Sequence, residues 1–589
     1  MPKKSLLVRF LIWRKNNISQ RSFILMLSVV VGLGGGLIAL VLKTSVFFLH
    51  ERLLENKGFD EYNLMVFVYP FIGIALTYLF VKYIIRDDVK HSIAAILYSI
   101  SKRNSIVQAH KIFSSVIGGV LTAGFGGSIG LESPIISSGS AIGSNVGRVL
   151  RLSYKEITLL LACGAAGAIS AIFHTPLAAI VFAIEVLLID LTRFSLIPLL
   201  IASVSGAIVT NVFFQDAILF EFILQDHYHV EHTGFYILLG ILSGLVSVYF
   251  SKVYFRVEET VNKVGEIKRL LLGGLVLGVI IFLFPPLYGE GYQIIKAIFS
   301  GNFISVMETN LHLDLKSYHW FFYFFFVSLL LLKAFATSIT IHIGGVGGIF
   351  APSLFTGAIT GMLFSHSLNL LGLNLSEGNF ALVGMSGVLS GVLHAPLTAI
   401  FLIAETTRGY ELIVPLMLTS TISFVTVKFF SADSIFTVQL SKRGELITHH
   451  KDKAVLTFME LKSVIETDFT TIHVDENLGE VVKQIAKSKR NIFPVIDDEG
   501  ILIGIILMDN IREIMFDKEM YDKTPVSNLM ILPPAYIGMK DTMKEVIQKF
   551  ESTGAWNLPV IQNAKYVGMV SKSKLFSAYR NLLLEISEE

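Results

Sequence analysis

A single cysteine, Cys163, among 589 residues rules out intrachain disulfides and thiolate metal clusters. Charge is scarce too: Asp, Glu, Lys and Arg make up 16% of the chain against 53% hydrophobic residues, and the mean hydropathy is +0.65. That is too little charge for a soluble protein of this size, so the composition is that of a polytopic membrane protein. No His-Glu-x-x-His string occurs, since His50-Glu51 has no second histidine at the required spacing, and the membrane metalloprotease class is excluded. No enzyme reading survives. The net charge of +2 implies no nucleic-acid partner, because the basic residues sit where membrane topology puts them.

Long apolar runs replace that missing charge, near 23–49, 64–85, 157–190, 194–214, 234–254, 270–286, 319–339, 353–372, 379–404 and 412–430. On the ~20-residue rule they make roughly ten to a dozen membrane segments. Several are too short, or too broken by Gly and Pro, to cross alone, and such helices are tolerated where they line a polar cavity. Residues 1–22 form a basic segment with Lys3, Lys4, Arg9, Arg14, Lys15 and Arg21 and no acid before residue 22. The positive-inside rule keeps that end cytoplasmic at a cell membrane, and Leu6, Phe10 and Trp13 let it lie along the lipid surface. The membrane region extends over 23–440. Beyond it Lys, Asp and Glu become frequent: 441–454 reads as a linker, and the soluble tail, also cytoplasmic, holds two units at 455–517 and 526–585.

One carboxylate stands out. Gly130-Leu131-Glu132-Ser133-Pro134 places Glu132 in a Gly/Ser-rich, otherwise uncharged stretch between apolar runs, and an ionisable side chain at membrane depth marks an ion or proton pathway. Gly348-Ile349-Phe350-Ala351-Pro352 repeats the Gly-x-x-x-Pro frame without the acid, its proline 218 positions from Pro134. Gly164, Gly167, His174, Pro176 and Glu185 recur as Gly384, Gly387, His394, Pro396 and Glu405, all offset by 220. One ancestral unit is therefore used twice, with its site at the interface of the repeats. The spacings leave open whether the halves are parallel or inverted. A proline just inside a helix start, preceded by glycine-rich backbone, leaves N–H groups free at the positive end of the helix dipole, where anions bind. Glu132 is itself an anion at that end, able to occupy the transported anion's place until it is protonated.

These frames, the duplicated His/Pro-Leu segments and the paired tail together resemble the CLC family of chloride channels and anion/proton antiporters over nearly the whole chain. The resemblance implies an α-helical membrane domain with inverted halves, a homodimer with one anion pathway per subunit, and chloride as the transported ligand. It makes Glu132 the gate and proton acceptor, and Gly348, Ile349 and Phe350 the backbone of the anion site. The chain departs from the family at several points. Leu131 and Ser133 stand where Arg and Gly are usual. His91 falls where the anion-binding serine lies, and Phe436 where a tyrosine donates its hydroxyl. Val186 occupies the antiporters' internal proton-relay position, and valine carries no proton. On that last point the expectation is a chloride channel, with a chloride/proton antiporter, or a carrier of nitrate or fluoride, as alternatives. Glu185 and Glu405 read as structural helix-end acids.

The tail repeats as well, Phe493-Pro494-Val495-Ile496 and Leu558-Pro559-Val560-Ile561 lying 65 apart. Each unit reads as strand, helix, strand, turn, strand, helix, similar to an α/β tandem pair of CBS domains. That resemblance implies a cleft for an adenine nucleotide, with Thr or Ser three residues, and a ribose-holding Asp six residues, after a glycine. Here the first copy has Leu507 and Asn510, the second Ser571 and Lys574, and neither has the Asp. Lys574 is a phosphate contact or a solvated helix-face lysine. No cofactor is expected, and the missing Asp counts against an adenine nucleotide. CBS-linked magnesium transporters need several pore-facing carboxylates, whereas the apolar runs offer mainly Glu132, Glu185 and Glu405. His227, His229, Glu231 and His232 read as a wet interhelical loop, not a zinc site.

Overall fold

The computed structural model describes residues 6–54, 64–87, 92–189, 192–213, 227–302, 319–407, 410–438, 441, 459 and 461–587, in two compact units, Met1–Leu446 and Ile447–Glu589. Apart from Ser441, the stretch read as a linker lies outside the described residues, as does His91.

In the first unit seven helices among the described residues are long and apolar enough to cross a bilayer, and four shorter apolar helices accompany them. The repeat seen in the sequence is a repeat of packing. The Glu132–Val149 helix lies so close to Tyr154–Phe173 that a Cβ on Gly143 would meet the Leu160 carbonyl oxygen at 1.9 Å. In the second half Phe350–Asn369 lies on Glu377–Leu393, and a Cβ on Gly361 would meet the Phe380 carbonyl oxygen at the same 1.9 Å. Small residues let these backbones touch, which drives helix association where lipid removes the hydrophobic drive. Each pair then leads through a left-handed histidine, His174 or His394, into a short helix that starts on proline: Pro176–Glu185 and Pro396–Thr406. At the other end, the Leu6–Asn17 helix exposes Phe10, Ile12 and Trp13, while Arg14 folds over the Phe23 ring at 4.0 Å and pairs with Gln20, which pairs in turn with Glu156.

The second unit carries two three-stranded sheets of the same order. In the first, Ile472 pairs with Val495 in parallel and Val495 with Gly504 antiparallel; in the second, Ile537 pairs with Val560 and Val560 with Gly568 in the same senses. Even the register shift recurs, after Val495 and after Val560. Each sheet covers its apolar face with an amphipathic helix, Leu478–Lys487 or Met543–Thr553, held at its start by Asn477 or Thr542 accepting a backbone N–H.

Candidate functional site: two helix starts facing one cavity

The two Gly-x-x-x-Pro frames meet. Gly130 N–H donates to the Gly348 carbonyl at 2.9 Å and Gly348 N–H returns to Gly130 at 2.8 Å, a two-residue antiparallel bridge between the halves. The chain therefore runs in opposite directions as it enters the two helices, the local sense of an inverted repeat. A side chain at either place would displace Glu132 or Ser133. A Cβ on Gly130 would lie 2.0 Å from Glu132 Oε2, and one on Gly348 would strike Ser133 Oγ at 2.7 Å.

Glu132, 1% exposed, folds its carboxyl across the bridge so that Oε1 accepts the Ala351 N–H at 2.9 Å. A carboxylate from one half thus sits on the first turn of the other half's helix. Among the described residues none accepts a hydrogen bond from the N–H groups of Ile349 or Phe350, at the cap and start of that turn. Those two donors and the aligned peptide dipoles make the place attractive to an anion without a cationic side chain. The Phe350 ring packs between Phe173 and Phe182, with centroids 6.2 and 5.9 Å away, and so fixes the backbone that presents the N–H groups. Beside them lies a cavity of about 30 Å³ lined by Ser133, Gly348, Ile349, Ile93, Tyr254 and Phe436, among others. This is room for one small body stripped of its water shell.

The structure brings together Glu132, Gly348, Ile349, Phe350 and Phe436. Val186 is buried at the end of the Pro176–Glu185 helix, its N–H donating to the Phe182 carbonyl at 2.9 Å, and does not line the cavity. Glu185 and Glu405 cap each other's helices. Glu185 accepts from the N–H groups of Leu397 and Thr398 at 3.1 and 2.7 Å and from the Thr398 hydroxyl at 2.7 Å, while Glu405 accepts from Leu177 and Ala178 at 3.1 and 2.9 Å. In the tail Asn510 and Lys574 are exposed, whereas Ser571 is buried with its hydroxyl on Glu466 at 2.5 Å. His227 pairs with Glu411 at 2.9 Å, and the described residues hold no group of three metal-ligating side chains.

Sequence reasoning missed Tyr254 at the cavity and Lys333 in the membrane interior. Tyr254 was one aromatic among many in a long helix, and nothing local pointed it at the cavity. Lys333 was visible: a lone cation inside Phe- and Leu-rich sequence, which the rule applied to Glu132 also covers. It is fully buried, and its ammonium donates to the Gly289 carbonyl at 2.9 Å.

An inverted pair of broken helices around a small anion-attracting cavity, joined to a tandem α/β tail, defines a class of membrane transport protein. The voltage gated chloride channel profile matches residues 73–428, and CBS domains match 461–517 and 526–581. The chain belongs to this CLC family, as an anion transport protein with two C-terminal CBS domains. It is 29% identical to a putative chloride channel protein ClcB-like of Ralstonia nicotianae, over 61% of this chain and 80% of that one. It is 28% identical to the H(+)/Cl(-) exchange transporter ClcA of Yersinia pestis, over 71% and 87%. A slow cyanobacterial Cl-/H+ antiporter superposes with a TM-score of 0.61 at 23% identity, covering 72% of this chain and 99% of that one, a likeness of fold.

Proposed function

We propose that the chain exchanges chloride for protons across a membrane, with Glu132 as both gate and proton acceptor and the N–H groups of Ile349 and Phe350, beside Gly348, as the anion's seat. The observation that carries this is the Glu132 carboxylate resting on the Ala351 N–H, its negative oxygen beside the seat a dehydrated anion would take. Protonation removes the charge that holds it there, and the anion and the acid then alternate. Relatives named as exchangers favour this over the channel expected from Val186. The channel remains the second reading on one observation, that a buried valine stands at the inner relay position. The chain is taken to act as a homodimer in a cell membrane with both termini cytoplasmic, on the strength of the family resemblance and the basic first 22 residues.

The test is purified full-length protein in chloride-loaded liposomes, with anion efflux and proton uptake recorded together between about pH 4.5 and 7.5, the range open to a perturbed carboxyl. Glu132→Gln should abolish proton uptake and the pH dependence of efflux while anion flux persists. Identical pH profiles in wild type and variant would refute the role of Glu132. Anion flux with no proton uptake in the wild type would select the channel. Replacing chloride by nitrate or fluoride reads selectivity in the same vesicles.

A further inference from the structure

Four residues the proposed mechanism has not used, the loop Gly289-Glu290-Gly291 and Tyr292 at the start of the Tyr292–Phe299 helix, lie against the segment that carries the gate. Gly289 and Gly291 sit at φ +61° and +84°, where side chains are strained, and a Cβ on Gly291 would meet the Phe355 ring at 2.6 Å. The loop is fastened to the turn leading into Glu132. Gly289 N–H donates to the Gly126 carbonyl at 3.1 Å, and the Tyr288 ring covers Gly126 so closely that a Cβ there would lie 1.9 Å from it.

This fastening brings a second acid to the gate. The Tyr292 hydroxyl faces the carboxyl groups of both Glu132 and Glu290, Glu290 faces the Leu131 N–H, and the buried Glu132 Oε2 has no hydrogen-bond partner among the described residues. Lys43 and Lys333 face Glu290 from two further helices, Gln20–Leu54 and His319–His342. Lys333 lies over the Phe355 ring at 5.0 Å, Lys296 faces Lys43, and the His50 ring meets Tyr288 at 5.2 Å. Glu132 is sealed, whereas Glu290 and Tyr292 are half-buried, so the acids run from the interior outward. The direction follows from the helix that carries Lys43. That helix starts at Gln20 beside the basic segment, and at ~1.5 Å per residue Lys43 lies roughly 35 Å along it, more than the ~30 Å of hydrocarbon.

We infer that Tyr292 and Glu290 are the proton path between Glu132 and the membrane face opposite the N-terminus. This rests on the reading of Glu132 as proton acceptor. In the inward step protonated Glu290 gives its proton to the Tyr292 oxygen while the tyrosine's own hydroxyl proton passes to the Glu132 carboxylate. The tyrosine stays neutral, rotation of its hydroxyl resets the path, and Lys43 and Lys333 balance the charge left on Glu290.

The experiment compares Tyr292→Phe, Glu290→Gln and Glu132→Gln as full-length protein in chloride-loaded liposomes. Tyr292→Phe keeps the ring and its packing, so it remains informative if Glu290→Gln folds poorly. Each relay variant should lower proton uptake about a hundredfold or more, at the low end of what a positioned proton-transfer group contributes, with anion efflux at low pH within about twofold of wild type, so that the proton-to-anion ratio falls. An unchanged ratio in Tyr292→Phe and in any folded Glu290→Gln overturns the inference. If Glu132→Gln removes coupling while the relay variants keep it, the inference fails alone; if Glu132→Gln changes nothing, the underlying reading fails. If the wild type moves anions without protons, an acid jump replaces the readout. The onset of efflux should then slow in both variants, and an unslowed onset counts against the path.

Discussion

In the membrane unit the two copies of a duplicated segment interlock, while in the tail the two copies merely repeat. Gly130 and Gly348 pair across the membrane halves, and Glu185 and Glu405 each cap a helix of the opposite half. The tail copies reproduce strand order, register and bulge, yet their cleft positions hold unlike residues, Asn510 and Lys574. Both duplications retain what the backbone needs: glycines at close contacts, prolines at helix starts, strand alternation. The chemistry sits where the copies differ. In the membrane, the same frame carries an acid at Glu132 and bare N–H groups at Ile349 and Phe350, and neither copy alone brings the two together. In the tail, the differing residues assemble nothing comparable.

The comparison breaks most readily at the reciprocal caps. Each acid serves at least two helix-end N–H groups, and hydrogen bonds to a charged group contribute ~1.5–3 kcal/mol apiece before solvent screening. Both caps are partly exposed, so Glu405→Ala should cost about 2 kcal/mol and Glu185→Ala, which also loses the Thr398 hydroxyl, about 3 kcal/mol. Thermal unfolding in detergent reads this, and a variant unfolding no earlier than wild type would show its cap to be idle. Per-protein proton coupling should be unaffected by Glu185→Ala in what folds, since the acid holds a helix start and carries no proton.

A smaller effect sharpens the asymmetry at the cavity. Phe436 cannot donate a hydrogen bond, and Tyr254 is the one tyrosine among the cavity-lining residues. If its hydroxyl serves the anion, Tyr254→Phe should weaken chloride binding about five- to tenfold, the value of roughly 1–1.4 kcal/mol, and adding Phe436→Tyr should restore it. Calorimetric titration of the purified protein with chloride is the check. Unaltered affinity in Tyr254→Phe would return the site to backbone donors alone.

Much of this was legible in the sequence because duplication prints itself at fixed offsets. The frames at 134 and 352, the histidine-proline turns and the tail strands all fell where the spacing put them. An acid at membrane depth is costly, and glycines can pack helices without one, which is why Glu132 was readable. Tyr254 and the 289–292 loop were not, because each reaches the site from a distant element by packing, and periodicity reports only which face of a helix is apolar. Lys333 was legible and overlooked, since attention to carboxylates left an intramembrane cation unremarked. The channel preference drawn from Val186 weighed one absent relay above everything else.

The smallest expected effect is in the tail, where the copies lack the ribose-holding Asp and the structure has filled the neighbouring space. Ser571 donates to Glu466 at 2.5 Å, and Glu466 in turn takes Arg490 at 2.8 Å. Arg490 also binds Asp468 at 2.7 Å and lies over the Phe469 ring, and this guanidinium holds the exposed Asp468 carboxyl below its usual range. Asp468 is therefore ionised at neutral pH, the serine is engaged, and Arg490 is committed to two acids, an arrangement that repels a phosphate. Ribose hydroxyls without a charged acceptor forgo on the order of 1.5–3 kcal/mol, about ten- to hundredfold in affinity. The full-length protein should accordingly bind ATP, ADP and AMP no tighter than roughly 1 mM, near the −4 kcal/mol scale. Because the folded Asp468 pKa is depressed, its stabilising pair with Arg490 is complete above the unfolded carboxyl range and is lost as pH falls through the folded one, so weak binding measured at neutral pH is the fair test. Low-micromolar binding of any adenine nucleotide at that pH would mean that Glu466 and Arg490 part to admit it, and Arg490→Ala would then abolish the binding.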